Sequence, residues 1–196
     1  LNTCLKHSEY KFEIWNLIAM EFLTIGNFQE AMNYFRLCIE NEPNDHQILY
    51  NLIYCIDNLK CFKDGVKILN QILDKDPYNE LVWLELGKLN LELNKTKDAL
   101  NSFDYAILCD DKFSAAYVEK GKLLQKNNNF LEAIENYQFS LTLESPSAFV
   151  YLRIGECFKM LRKYSLEMKY YKLSVKEDPN YEESWIALIK FYINKK

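Results

Sequence analysis

The chain has 196 residues, a formal net charge of −4 and only two histidines. That is enough for one domain or one repeat array, without the surplus of Lys and Arg that a phosphate backbone demands of its binder. With 49% hydrophobic residues but only 5 Gly and 4 Pro, it lacks the residues on which tight strand turns depend, and helices are favoured. Its six cysteines, at 4, 38, 55, 61, 109 and 157, form no Cys-x-x-Cys pair. Neither a zinc site nor a disulfide framework is expected, and the thiols read as reduced. No apolar run approaches the roughly 20 residues that span a bilayer, and no secretory leader is visible. The reading is a cytoplasmic chain with no metal, no cofactor, no nucleic-acid partner and no membrane partner.

The chain opens on Leu1 rather than Met, so residues 1–11 are expected to be the end of a preceding repeat or an entry segment. From there, apolar residues recur at i, i+3, i+4 and i+7, the spacing of amphipathic helices. They predict helix pairs over 12–25 and 28–41, 46–59 and 62–75, 80–93 and 96–109, 114–127 and 130–143, and 148–161 and 164–177. A last single helix is predicted over 182–195.

The pairs repeat every 34 residues without insertion or deletion. A large marker recurs at Trp15, Leu49, Trp83, Tyr117, Tyr151 and Trp185. Four residues on comes a slot that is often small: Ala19, Ile53, Gly87, Gly121, Gly155 and Ile189. A second small slot reads Ala31, Gly65, Ala99, Ala133 and Glu167, followed by Phe35, Leu69, Phe103, Tyr137 and Tyr171. The units close at Pro43, Pro77, Asp111, Ser145 and Pro179, where a proline stops the second helix.

This pattern resembles the tetratricopeptide repeat (TPR) family, and in style the TPR proteins of the bacterial cytoplasm. The third unit carries the resemblance best, with Trp83, Leu86-Gly87, Ala99, Phe103 and Ala106. It departs at Leu91, where the family has Tyr, and at Asp111, where it has Pro. The resemblance implies an all-α, right-handed solenoid of antiparallel helix pairs. Its units would be 12–45, 46–79, 80–113, 114–147 and 148–181, with 182–196 a capping helix or the start of a sixth unit. It also implies a protein–protein interaction scaffold or adaptor with no catalytic activity. The alternative is a regulatory repeat region of a larger protein whose catalytic domain lies outside this sequence.

Nothing in the residues argues for chemistry. Two histidines near the N-terminal end make a Ser or Cys nucleophile with its base improbable, and the glycines are scattered rather than gathered into a phosphate loop. In the family the first helix of each pair lines a concave groove, so register assigns the binding face. It gives Asn16 and Met20, then Tyr50, Asn51 and Tyr54, then Glu85 and Lys88, then Glu119 and Lys122, then Arg153 and Glu156. Tyr50 and Tyr54 share a face one turn apart and suit an interface anchor. Glu85–Lys88, Glu119–Lys122 and Arg153–Glu156 are opposite charges at i,i+3 and can satisfy each other. The carboxylate clamp of chaperone-binding TPR domains finds only Asn51 in one register and only Arg153 in another, so that ligand is not expected.

Three places break the pattern. Ile53 sits in a small slot while Gly65 replaces Ala in the other, which reads as volume added on one helix and removed from its partner. Glu167 occupies a small slot, where an unpaired carboxylate would be costly; a shifted helix, an edge position or Lys163 would relieve it. The last helix is apolar on most sides, including Trp185, Ile186, Ile189 and Ile193. Further chain, a second copy packed as a homodimer, or simple exposure would each account for it. Gly65→Ala is expected to lower the melting temperature more than Ala99→Gly; equal losses would remove the idea of exchanged volume.

Overall fold

The computed structural model describes residues 2–42 and 45–194, with side chains from residue 11 onward. The described residues form eleven α-helices and no strand: α1 (Asn2–Thr24), α2 (Phe28–Asn41), α3 (His46–Leu59), α4 (Phe62–Leu73), α5 (Glu80–Glu92), α6 (Thr96–Cys109), α7 (Ser114–Lys126), α8 (Phe130–Leu143), α9 (Ala148–Met160), α10 (Tyr164–Glu177) and α11 (Glu182–Ile193). This is an all-α repeat fold of the solenoid class. The helices fall within two residues of the expected spans, except for α1. No break separates an entry segment at 1–11 from the first helix; residues 2–24 contain neither Gly nor Pro, and the helix runs through. The chain forms two compact units, Leu1–Cys109 and Asp110–Lys196.

Within each unit the helices pair as hairpins, and the small slots explain how. A Cβ built on Gly87 would stand 2.3 Å from the Phe103 ring. On Gly121 it would stand 2.7 Å from Tyr137, and on Gly155 2.6 Å from Tyr171. In each hairpin an aromatic side chain of the second helix fills the space a side chain on the first would need. Phe103 and Tyr137 are fully buried and Tyr171 nearly so. The first hairpin has Ala19 and Phe35 at these places, both without exposure.

The second hairpin differs. Ile53 occupies the slot, and the backbones of α3 and α4 approach at far fewer places than those of α1–α2 or α5–α6. The expected exchange of volume between Ile53 and Gly65 is corrected here. Gly65 faces Ile56 and Leu89, each 2.9 Å from where its Cβ would lie. Its missing side chain makes room for the next turn of α3 and for α5, while the bulk of Ile53 is accommodated by separation of the two helices.

Every hairpin turns through one residue in the left-handed region. Gly26, Lys60, Asn94, Asn128 and Arg162 have φ of 77, 51, 58, 64 and 55°. The next amide then bonds back five residues, as in Asn27 N–H to Phe22 (2.9 Å), Lys95 to Asn90 (2.8 Å) and Lys163 to Phe158 (2.9 Å). This is the Schellman closure. Between hairpins the markers act as ties. The Trp83 indole N–H donates to the Pro77 carbonyl at 2.8 Å, and Trp185 to Pro179 at 2.9 Å. The Tyr117 hydroxyl donates to Asp111 at 3.1 Å. The marker rings also meet the second helix, Trp83 on Tyr105 at 4.7 Å and Tyr117 on Phe139 at 4.6 Å.

Cys38, Cys55 and Cys157 are buried and free. Burial pushes their thiols up to about 11, about 11 and about 12, so they behave as small apolar residues. Glu167 is buried rather than at an edge, and its amide bonds the Lys163 carbonyl at 3.0 Å. It lines a cleft of about 350 Å³ between α9, α10 and α11 that also carries Lys159 and Lys190.

Gly87→Ala is expected to cost about 1–3 kcal/mol by overpacking Phe103, and combined with Phe103→Leu to cost less than the sum of the two. Urea unfolding of the four proteins in that cycle measures it. Arg162→Gly is expected to raise stability by about 0.5–1 kcal/mol, because a left-handed residue with a Cβ is strained and glycine is not.

Candidate binding groove

The residues that register assigned to the groove lie on first helices, and within each unit neighbouring first helices meet through them. In the first unit, Asn51 on α3 donates to the Met20 sulfur on α1 at 3.4 Å and accepts from Gln47 at 3.2 Å. Asn16 is partly buried on α1, and its Oδ1 has no hydrogen-bond partner. Tyr50 and Tyr54 are 50% and 54% exposed. The Tyr54 ring rests edge-on against Phe28 at 5.9 Å, which fixes it without covering it. Leu17, Met20, Tyr50 and Tyr54 therefore present apolar surface from α1 and α3.

The third hairpin's share of this face is charged. Lys88 holds Glu85 at 2.7 Å, and the Glu85 side chain is only 6% exposed. Asp57 on α3 feels both Glu92 and Lys88 of α5. Burial and Glu92 raise its pKa, and Lys88 opposes them. Glu85 thus belongs to the wall of the first unit more than to its open surface. Its carboxylate is committed to Lys88, which remains accessible on its outer side.

In the second unit the face is built around an aromatic ring that the register did not single out as part of the groove. Lys122 on α7 stands 5.0 Å above the centre of Phe149, and the Arg153 guanidinium stands 4.8 Å from it. Each cation is also paired on its own helix, Lys122 with Glu119 at 2.7 Å and Arg153 with Glu156 at 2.9 Å. Gln125 ties the helices together, donating to Glu156 at 3.1 Å and accepting from the Tyr137 hydroxyl at 3.0 Å. Burial works against the charge on Arg153, but Glu156 and its hydrogen bond outweigh it and hold the pKa above the usual value. Burial pushes the Tyr137 hydroxyl up, which keeps it a donor. Phe149 and Gln125 were legible in principle, since Phe149 lies four residues before Arg153 on one helix face.

Residues 12–45 match the sequence family described as Tetratricopeptide repeat. No curated protein matches the chain. Among solved structures, a tetratricopeptide repeat protein from Parabacteroides merdae superposes with a TM-score of 0.75 at 17% identity, covering 93% of this chain and 72% of that one. MamA superposes at 0.71 and 19%, covering 88% and 94%. YrrB, described as a TPR protein with an unusual peptide-binding site, superposes at 0.69 and 12%, covering 95% and 96%. Residues 12–45 carry a tetratricopeptide repeat, and the fold of the chain is that of these solved repeat proteins. At these identities the likeness to solved structures is one of fold, and the matched sequence is the stretch that holds Asn16, Leu17 and Met20.

The three ion pairs of α5, α7 and α9 differ in how far water reaches them. The Glu85 side chain is almost dry, whereas Glu119 and Glu156 are 21% and 33% exposed. Removing the partner of the dry carboxylate is therefore the costly change. Lys88→Ala is expected to lower stability by about 1–3 kcal/mol, and Lys122→Ala by about 1 kcal/mol or less, both read from denaturant midpoints.

Proposed function

We propose that this chain is a protein-interaction scaffold or adaptor. It holds a segment of another protein along the first-helix face, and it does no chemistry of its own. The observation that carries this reading is the apolar surface of α1 and α3, where Leu17, Met20, Tyr50 and Tyr54 stand exposed together. Exposed apolar surface on a preformed helix face is a mark of an interaction site, and tyrosine supplies contact area at small entropic cost. In the same unit the Glu85–Lys88 pair of α5 adds charge of both signs that a partner can meet, although it is satisfied without one.

The fold supports protein interaction in general terms, and peptide binding is part of the description of one structural neighbour, YrrB. The described residues contain no group of three or more His, Cys, Asp or Glu placed to hold an ion. A net charge of −4 disfavours nucleic acid as the partner. No described helix is long and apolar enough to cross a membrane. The free, buried thiols suit a reducing, cytoplasmic setting.

The test is capture from a lysate of the source cells by the chain and by its Tyr50→Ala, Tyr54→Ala variant, with bound proteins identified by mass spectrometry. Both rings are half exposed, so the variant should keep its circular dichroism and melting temperature. A partner held by the parent and lost by the variant is the expected result. Retention of every partner by the folded variant would overturn the assignment of this face.

A further inference from the structure

The unit Asp110–Lys196 has a groove of its own between α7 and α9, about 530 Å³ in volume. Its charged lining is of one sign. Lys122, Lys126 and Arg153 line it, and no Asp or Glu does so among the described residues. In a chain of net charge −4 such a lining is not the background. The cleft between α9, α10 and α11 differs, since Glu156, Glu167 and Glu183 stand there beside the cations.

The cations keep capacity for a further anion. Glu156 takes only one nitrogen of Arg153, Nη1 at 2.9 Å, and leaves the rest of the guanidinium fork. Glu119 holds Lys122 at 2.7 Å. Lys126, exposed at the end of α7, has no ion pair among the described residues. An incoming carboxylate therefore competes at two of the cations and meets no competitor at the third. Apolar surface adjoins this third cation. Met160 ends α9 as Lys126 ends α7, and it is 58% exposed, with Phe130 of α8 partly buried in the same lining.

We propose that this groove takes an extended segment of a partner protein in which Asp or Glu side chains flank an apolar residue. The carboxylates meet Lys126 and Arg153, and the apolar side chain rests on Phe130 and Met160. From Phe149 to Met160 the helix rises about 16 Å, the length of roughly five residues of extended chain. Single-stranded nucleic acid is held by bases stacked on open aromatic faces. Phe149 already carries Lys122 and Arg153 at 5.0 and 4.8 Å from its centre, which favours an acidic peptide over a nucleic acid. The proposal rests on the reading of the chain as a binder of protein segments, but not on the α1–α3 face.

Fluorescence anisotropy of the full chain tests it with a labelled heptapeptide of alternating Glu and Leu, amidated so that no terminal carboxylate takes part. Saturable binding that weakens with added salt is expected. Replacing every Glu of the peptide by Gln is expected to weaken it about tenfold or more, and so is Lys126→Glu in the protein. Lys172→Glu, the same charge change at an exposed site on α10, should leave binding nearly as it was. Lys126 is exposed, so its variant should keep the parent's circular dichroism. No binding of the Glu–Leu peptide would overturn the proposal, as would equal binding of the Glu and Gln peptides or equal effects of the two Lys→Glu changes. An oligothymidylate bound more tightly than the peptide would overturn the choice of a protein partner. The Tyr50→Ala, Tyr54→Ala variant should bind the peptide as the parent does, so failure of the α1–α3 reading and failure of this one are read separately.

Discussion

An aromatic ring pressed into the place of a missing side chain sets how closely the two helices of three hairpins pack. Phe103, Tyr137 and Tyr171 lie where a Cβ on Gly87, Gly121 and Gly155 would have to be. Burial of a ring of this size is among the larger single contributions a side chain makes, and here it is available only if the two backbones approach closely. That approach brings the markers Trp83 and Tyr117 against the second helix. It also leaves the outer side of each first helix free of its own hairpin. The second hairpin shows the consequence of losing the contact, since Ile53 in the slot goes with a wider separation of α3 and α4.

The charges on the first-helix face are arranged to be quiet. Each acid is met by a base one turn along its own helix, and in the second unit both bases also rest on Phe149. Any anion brought to Lys122 or Arg153 has first to compete with Glu119 or Glu156. In the first unit the apolar residues are in the open, whereas in the second the ring lies beneath its cations. The two units thus offer different surfaces although they repeat one sequence pattern.

Register anticipated some of the contacts among first helices. The helix period assigns Met20 and Asn51 to neighbouring first helices, and the two meet. The i,i+3 spacing anticipates the three ion pairs. The depth of Glu85 was not legible, because burial depends on how α3 and α5 close over it and not on its own helix. Phe149 shares a helix face with Arg153 and was within reach of register, but its contact with Lys122 and the Gln125–Glu156 bond join residues about thirty positions apart.

The sequence by itself determined the helical class, the 34-residue period and nearly every helix boundary, because periodicity, glycine and proline act locally. Tertiary structure alone decided what Gly65 makes room for, how Glu167 comes to be buried beside a cleft, and that Lys60 and Arg162 take the left-handed turn that Gly26 marks openly. These outcomes depend on volume and on chain closure across helices. A residue's own type carries little information about the space its distant neighbours leave for it.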